Sequence, residues 1–293
     1  MSLFAHIRAE AAEFSVERLC RLVDVSRSGY YAWLQRQHRP PSAKKQREFR
    51  LVTKMRAIQK AVGGVYGSRR MTAELRADGE EVGRRLVRRL MRRHGLQAQG
   101  PRRFRVTTDS NHSEPIAPNL LEQNFATAGP DLAWVADITY VWTAEGWSYL
   151  AVVLDLFSRR VVGWSFADHM RTELPLAALE RALAVRQPAP GLIHHSDRGS
   201  QYASHAYRAA LRDHQVAQSM SRAGDCYDNA ACESFFATLK KERLHRQHFA
   251  TRTEAFDAIA NFIDGFYNPT RRHSALGYLS PIDFENMPLA QAA

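Results

Sequence analysis

Trp134-Val-Ala-Asp137-Ile-Thr-Tyr140-Val-Trp142 sets the architecture of this chain. The stretch is apolar on both alternating faces except at Asp137 and Thr139, which predicts a strand buried on both sides near the middle of a sheet, because half-exposed strands alternate apolar with polar residues. The chain then turns at Thr143 to Gly146; Trp147 to Leu154 is a second β-rich run, and Val161 to Phe166, after Asp155 to Arg159, is a third. Connections this short permit only antiparallel pairing, so the three runs form a meander. Glu173 to Arg186 has a helical pattern, Gly191-Leu-Ile-His-His-Ser-Asp197 reads as a short strand ending in an acid, and Ser204 to His214 reads as a further helix. A strand reached through a crossover helix normally runs parallel to one it joins. The expected fold class is therefore α/β.

Asp137 needs a physical reason, since an ionised carboxylate without a partner in an apolar strand is costly. A metal ion supplies one. If the strand ending at Asp197 lies beside the Asp137 strand at the usual ~4.8 Å spacing, two carboxylates face one point, an arrangement that hard cations such as Mg²⁺ prefer. A third ligand is then expected nearby. Asp225-Cys-Tyr-Asp-Asn-Ala-Ala-Cys-Glu233 begins with turn and capping residues and continues as a helix to Glu242. On it Glu233 and Lys240 are seven residues apart, two turns, and share a face. That face can present a carboxylate to metals and an ammonium to an adjacent phosphate. Taken singly, Glu233 reads equally as an early-turn acid favoured by the helix dipole, and Lys240 as a solvated lysine.

Charge separates the two halves of the 293 residues. Residues 1–108 hold 25 Lys+Arg against 9 Asp+Glu, whereas residues 109–293 hold 16 against 21. A basic third joined to a slightly acidic remainder points to a polyanion-binding module, and nucleic acid is the commonest such partner. Phe14 to Trp33 resembles a short helix-turn-helix pair. His38-Arg-Pro-Pro-Ser42 marks a boundary, because prolines do not sit inside a helix. Tyr66 to Arg76 is helical, Ala77 to Gly83 a turn, and Arg84 to His94 helical again. In that last helix Leu86, Val87, Leu90 and Met91 occupy one sector of about 140°, while Arg84, Arg85, Arg88, Arg89, Arg92 and Arg93 fill the other side. No acid interrupts the basic face, which suits phosphates or a groove. Arg69 and Arg70 precede it as further candidate nucleic-acid contacts. Ala98 to Asn119 shows no sustained period and reads as an extended basic linker.

Several classes are excluded by composition. With 45% hydrophobic and 24% charged residues, the chain is neither disordered nor fibrous. No signal-peptide pattern is present, and apolar runs fall far short of the ~20 residues that span a bilayer, so a cytoplasmic protein is expected. Cys20, Cys226 and Cys232 form no C-x-x-C pair, which argues against a disulfide framework or structural zinc and for ordinary buried thiols. No G-x-S-x-G occurs, so acyl transfer lacks support.

Five ordered motifs resemble the second-reading-frame transposases of the insertion sequence family three: Trp134 to Tyr140, Asp155 to Trp164, His195-Ser-Asp197-Arg-Gly-Ser-Gln-Tyr202, Asp228-Asn-Ala-Ala-Cys-Glu233 and Tyr267-Asn-Pro-Thr-Arg-Arg-His-Ser-Ala-Leu-Gly-Tyr278. Tyr66 to Leu96 resembles the helix-turn-helix module that precedes the core in that family, and the likeness covers about residues 14 to 285. The resemblance implies a ribonuclease-H-like mixed five-stranded sheet flanked by helices, as in retroviral integrases, preceded by an all-α region. It places a D-D-E triad on Asp137, Asp197 and Glu233, as catalytic and metal-binding residues, with 35 residues between the last two, and matches Lys240 to the family's basic residue. It implies two Mg²⁺ ions, with Mn²⁺ able to substitute, Asp137 bridging them and the other two acids outside. The implied activity is DNA strand cleavage and strand transfer by 3′-OH attack at the ends of the element.

The implied partners are double-stranded DNA, further copies of the chain on DNA, and the element's upstream-frame product, separate or fused. The length matches the unfused form, and no Cys pair precedes residue 109 to match the retroviral zinc module, which favours the bacterial branch. A bacterial cytoplasmic protein, nucleoid-associated when bound to DNA, follows. The expected domains are 1–40, helix-turn-helix-like; 44–98, basic DNA-binding module; 99–123, linker; 124–245, integrase catalytic core; and 246–293, a helical extension of that core.

Two other functions use the same features: a ribonuclease-H-like nuclease that only hydrolyses, and a helix-turn-helix DNA-binding regulator without catalysis. Around the site, His195 could move a proton or be a core histidine, Asp155 reads as a turn acid, and Gln201 and Tyr202 could position a nucleotide or the metal loop. Arg271, Arg272 and His273 suit a phosphate contact or a helix-end cap.

Overall fold

The structure, a computed structural model, describes residues 2–38, 40–98, 116–121, 127–221 and 229–288. The chain divides into two compact units, Met1–Ala57 and Ile58–Ala293. In the first, α1 (Leu3–Glu10), α2 (Val16–Leu22) and α3 (Arg27–His38) gather around Ile7, Leu19, Cys20 and Tyr30. The expected helix pair is thus a three-helix unit. Ser2 and Ser15 cap α1 and α2 by accepting from Ala5 N and Arg18 N, satisfying amides that a helix start leaves unpaired. Pro40 and Pro41 lie outside helices, and α4 (Ala43–Ala61) follows. The boundary between the units falls inside α4, and α5 (Ser68–Ala77) and α6 (Arg84–Arg93) belong to the same unit as the sheet. Most of the expected 99–123 linker lies outside the described residues.

The sheet has five strands in the order β3-β2-β1-β4-β5. β1 (Ala133–Thr143), β2 (Gly146–Asp155) and β3 (Val161–Ala167) form the expected antiparallel meander. After α7 (Glu173–Arg186), β4 (Ile193–Ser196) pairs parallel to β1. The short α8 (Ser200–Ala203) and α9 (His205–Asp213) lead to β5 (Ala217–Met220), parallel to β4. Then come α10 (Ala230–Glu242), α11 (Arg252–Phe262), which continues into one π-helical turn, and α12 (Pro281–Glu285).

β1 is the central strand, and its side chains alternate between two cores. Val135 joins Phe235, Phe236, Leu239 and Ile259 on the face covered by α10 and α11. Trp134 and Ala136 join Ala178, Leu179, Tyr207 and Leu211 on the face covered by α7 and α9. Each large apolar side chain enclosed this way contributes roughly 1.5–3 kcal/mol. Gly163 lets α7 lie directly on β3, since a Cβ there would stand 2.2 Å from the Ala178 carbonyl oxygen. Burial on both sides holds only for the first half of β1. β4 pairs with Ala133 to Ala136 alone, so Tyr140 and Trp142 emerge into solvent, where they meet Tyr149 at a tilt and Trp147 edge-on across the hairpin. Among the described residues no helix is long and apolar enough to cross a membrane.

Candidate active site

The last paired residues of β1 and β4 are Ala136 and Ser196, so Asp137 and Asp197 are the next residue of each strand, side by side where the parallel pair ends. β4 is shorter than its sequence suggested, which leaves Asp197 just beyond the ladder. Its carboxylate is oriented by its own loop: Gly199 N donates to Asp197 Oδ1 over 2.9 Å. A Cβ on Gly199 would stand 3.0 Å from that oxygen, so glycine permits the approach. Asp137 Oδ1 accepts from Ile138 N over 2.8 Å.

Burial and the neighbouring Asp197 push the Asp137 carboxyl up to about 8; Glu233 pushes the same way, while the Ile138 amide and Lys240 oppose. A carboxylate so destabilised, with another beside it, suits a cation, which would reverse both effects. α10 brings the remaining groups. Cys232, Phe235, Phe236 and Leu239 recur at offsets of three, four and seven and are buried against the sheet, which fixes the helix's rotation. Glu233 and Lys240 flank that stripe; Glu233 is exposed and Lys240 half-buried. Partial burial raises Glu233 and lowers Lys240, the latter offset by Asp137. Among the described residues no three of His, Cys, Asp and Glu gather closely enough to hold an ion.

Asn229 stands in the Asp228 to Glu233 motif, but nothing local in the sequence gives its partner. It precedes α10 at the N-cap position without a side-chain capping bond, is buried, and its Nδ2 donates to the Ala136 carbonyl over 3.2 Å, tying the helix that carries Glu233 to the strand that carries Asp137. Its Oδ1 and the buried hydroxyl of Tyr202 are polar atoms without a hydrogen-bond partner. Burial pushes the Tyr202 phenol well up, and the charges of Tyr207, Asp137 and Asp197 add to it. Gln201 donates to the Met170 carbonyl over 2.9 Å.

His195 and Asp155 serve the fold. His195 is fully buried, with Nδ1 at 2.8 Å from Ser219 Oγ and Nε2 at 3.1 Å from Ser221 Oγ, so both ring nitrogens face β5 and its continuation. Asp155 accepts from Ser158 N, Ser158 Oγ and Asp131 N and closes the turn before β3. Cys20 and Cys232 are buried free thiols; Cys226, Asp225 and Asp228 lie outside the described residues.

On α6, Val87, Leu90 and Met91 are buried, and Arg84, Arg85, Arg88, Arg89, Arg92 and Arg93 are all exposed, as is Arg69 on α5. Leu86 is only half-buried. Arg70 departs from its expected place: its Nη1 lies 3.2 Å from Glu242 Oε1, and the guanidinium sits over the Tyr66 ring. Arg271 and Arg272 likewise turn inward, to Glu242 and Glu74, and burial with neighbouring arginines lowers His273 to about 3. These internal ion pairs occupy the guanidinium groups that a phosphate contact by this segment would need.

Residues 127–226 and 214–281 match families described as integrase core domain, and residues 46–104 match an HTH-like domain. The Shigella sonnei insertion element IS600 uncharacterized 31 kDa protein is 46% identical over 91% of this chain and 97% of its own length. Transposase InsF for insertion sequence IS3A, from Escherichia coli strain K12, is 43% identical over 98% of this chain and 99% of its own. A chain of the simian T-cell lymphotropic virus intasome is similar at 14% identity and a TM-score of 0.47, over 79% of this chain and 74% of that one. With 43% identity sustained over essentially both full lengths and an integrase core at its centre, this chain belongs to the IS3 family of insertion-sequence transposases.

Proposed function

We propose that this DNA transposase cuts the ends of its own insertion sequence and joins them to target DNA, with Asp137, Asp197 and Glu233 as its catalytic, metal-holding residues. The observation that carries the proposal is the side-by-side placement of Asp137 and Asp197 at the parallel strand ends, with Glu233 and Lys240 within electrostatic reach of Asp137. The raised Asp137 and the orphaned buried oxygens of Asn229 and Tyr202 fit a site completed by divalent cations. Asp137, Asp197 and Glu233 would hold two Mg²⁺, or Mn²⁺ in their place. When bound, such ions stabilise the attacking and leaving oxygens of an in-line displacement at phosphorus.

The chain's own groups do the rest. Lys240 sets an ammonium beside the acids, where it meets the phosphate backbone that the acids alone would repel. Asn229 holds the first turn of α10 against β1, and so holds Glu233 toward Asp137. The exposed arginines of α6, with Arg69, grip phosphates of the duplex and supply most of the salt-dependent affinity. Residues 44–98 serve as the DNA-binding module, 124–245 as the core and 246–293 as its extension. Two DNA ends must meet in one complex, so at least two copies assemble on DNA, alone or with the upstream-frame product, in the bacterial nucleoid.

The test is a strand-transfer assay with purified protein, Mg²⁺ and a labelled duplex carrying the element's own end. Joined products are expected from the wild type and none from Asp137→Asn, Asp197→Asn or Glu233→Gln, all of which keep binding the duplex. Normal joining by any of the three removes the triad assignment. Nicking without joining assigns a hydrolytic nuclease instead, and binding with neither assigns a regulator.

A further inference from the structure

We propose that the segment Thr270 to His273 is a latch that fixes the α5–α6 module to the far end of helix α10, so that the place where the chain grips DNA determines which phosphodiester reaches Asp137 and Glu233. The proposal rests on the function proposed above and assigns these residues a positioning role in it.

The latch has two arms, both within one compact unit. In the first, Glu242, the last residue of α10, accepts from Arg271 Nε and Nη2 at 2.7 Å each and from Arg70 Nη1 on α5 at 3.2 Å. Arg271 is 2% exposed and Glu242 9%. In the second, Arg272 Nε pairs with Glu74 on α5, while its backbone N donates to the Tyr66 hydroxyl over 2.9 Å. Arg70 and Glu74 are four residues apart and so lie on one face of α5; Met71 and Leu75 are among its buried residues. Arg246 adds a third contact, donating to the Gly63 carbonyl over 2.5 Å.

The chemistry favours positioning over adhesion. Taking the buried Arg271 and Glu242 out of water is costly, and apolar residues of the same volume often hold a fold together as well or better. Bidentate ion pairs add direction, since the planar guanidinium meets a carboxylate in one orientation. The helix they orient also carries the chemistry: Glu242 is nine residues beyond Glu233, or about 13 Å along a continuous helix at 1.5 Å per residue. The six arginines of α6 are exposed, so the module keeps a phosphate-binding face while α5 is tied to α10.

The test uses the full chain with Glu74→Arg, Arg272→Glu and the double exchange, which restores the pair with its charges reversed, and Glu242→Gln for the buried arm. Amide hydrogen exchange reads the coupling without any DNA. In each single variant, exchange in residues 68–93 is expected to rise about tenfold, with the sheet amides unchanged, and the double exchange is expected to restore protection. On the duplex carrying the element's end, the single variants and Glu242→Gln are expected to bind within about twofold of wild type, yet to spread their cuts over several phosphodiesters where the wild type cuts one; the double exchange is expected to cut at one again. Unchanged exchange in the single variants, or cutting at the wild-type position despite faster exchange, overturns the latch. If the wild type cuts nowhere on the duplex, the functional proposal fails, and the exchange data alone decide whether α5 is latched to α10.

Discussion

Replacing Asp137 by Asn is expected to stabilise the metal-free protein while abolishing strand transfer. The sign follows from the direction of the perturbation. The folded chain holds the Asp137 proton up to about 8, against 3.8 for an unperturbed aspartate, so between those values the folded state binds more protons than the unfolded one, and stability falls as pH rises. The contribution is present in full below 3.8, is lost progressively up to about 8 and is flat above that. At 1.36 kcal/mol per pH unit, the span from 3.8 to 7 would amount to roughly 4 kcal/mol. Asp137 keeps some exposure to solvent, and screening there reduces the figure to about 2 kcal/mol. Asparagine carries no charge in either state and avoids the penalty. Urea denaturation of both proteins in EDTA at pH 5, 7 and 8 is the assay. The mutant is expected to gain about 1 kcal/mol at pH 5, and about 2 kcal/mol at pH 7 with little further change above pH 8. Added Mg²⁺ is expected to stabilise the wild type alone, by mass action on the folded state. A mutant less stable than wild type at pH 7, or an advantage that does not grow between pH 5 and pH 7, contradicts this account of the site.

Arg88→Ala with Arg92→Ala, both exposed on α6, is expected to lower the slope of log K against log salt by about 1.8, at about 0.9 for each phosphate no longer neutralised; an unchanged slope in a filter-binding titration places DNA elsewhere. Arg70→Ala is expected to leave that slope alone and to cost about 1–3 kcal/mol of stability in denaturant titration, because the buried Glu242 loses one of its two arginine partners. His195→Ala is expected to lower the melting temperature, through the cavity left by a fully buried ring and the loss of its bonds to Ser219 and Ser221, without moving the pH profile of strand transfer; a displaced profile would return His195 to the chemistry. Tyr202→Phe removes a buried hydroxyl that has no partner, and is expected to be neutral or to stabilise by up to about 1 kcal/mol in thermal melts of the metal-free protein.

Local sequence was enough to place the antiparallel meander and to mark Asp137 as a buried acid that needs a partner, whereas the fifth strand and the full triad came with the family resemblance. Apolar residues at every position of Trp134 to Trp142 except two pointed to a strand covered on both faces, which holds for Ala133 to Ala136 but not for the exposed Tyr140 and Trp142, and short turns forced the meander. The two-turn interval from Glu233 to Lys240 was a local property of one helix, while the spacing from Asp197 to Glu233 had meaning only through the resemblance. The two-faced distribution on Arg84 to Arg93 likewise gave the buried and exposed sides of α6, because helical periodicity is fixed by the backbone alone.

Packing alone settled the destination of groups whose partners lie far along the chain. Arg70, Arg271 and Arg272 carry the same charge as the arginines of α6, and nothing local distinguishes an arginine that faces phosphate from one that meets Glu242 across 172 residues. His195 shares strand parity with Asp197, yet its ring is enclosed by serines of a strand too short and polar to stand out, Ala217–Met220, and of its continuation. Asn229 gained its meaning only when α10 met the Ala136 carbonyl. Periodicity sets which way a side chain points from its own element, whereas the partner it finds depends on how elements pack.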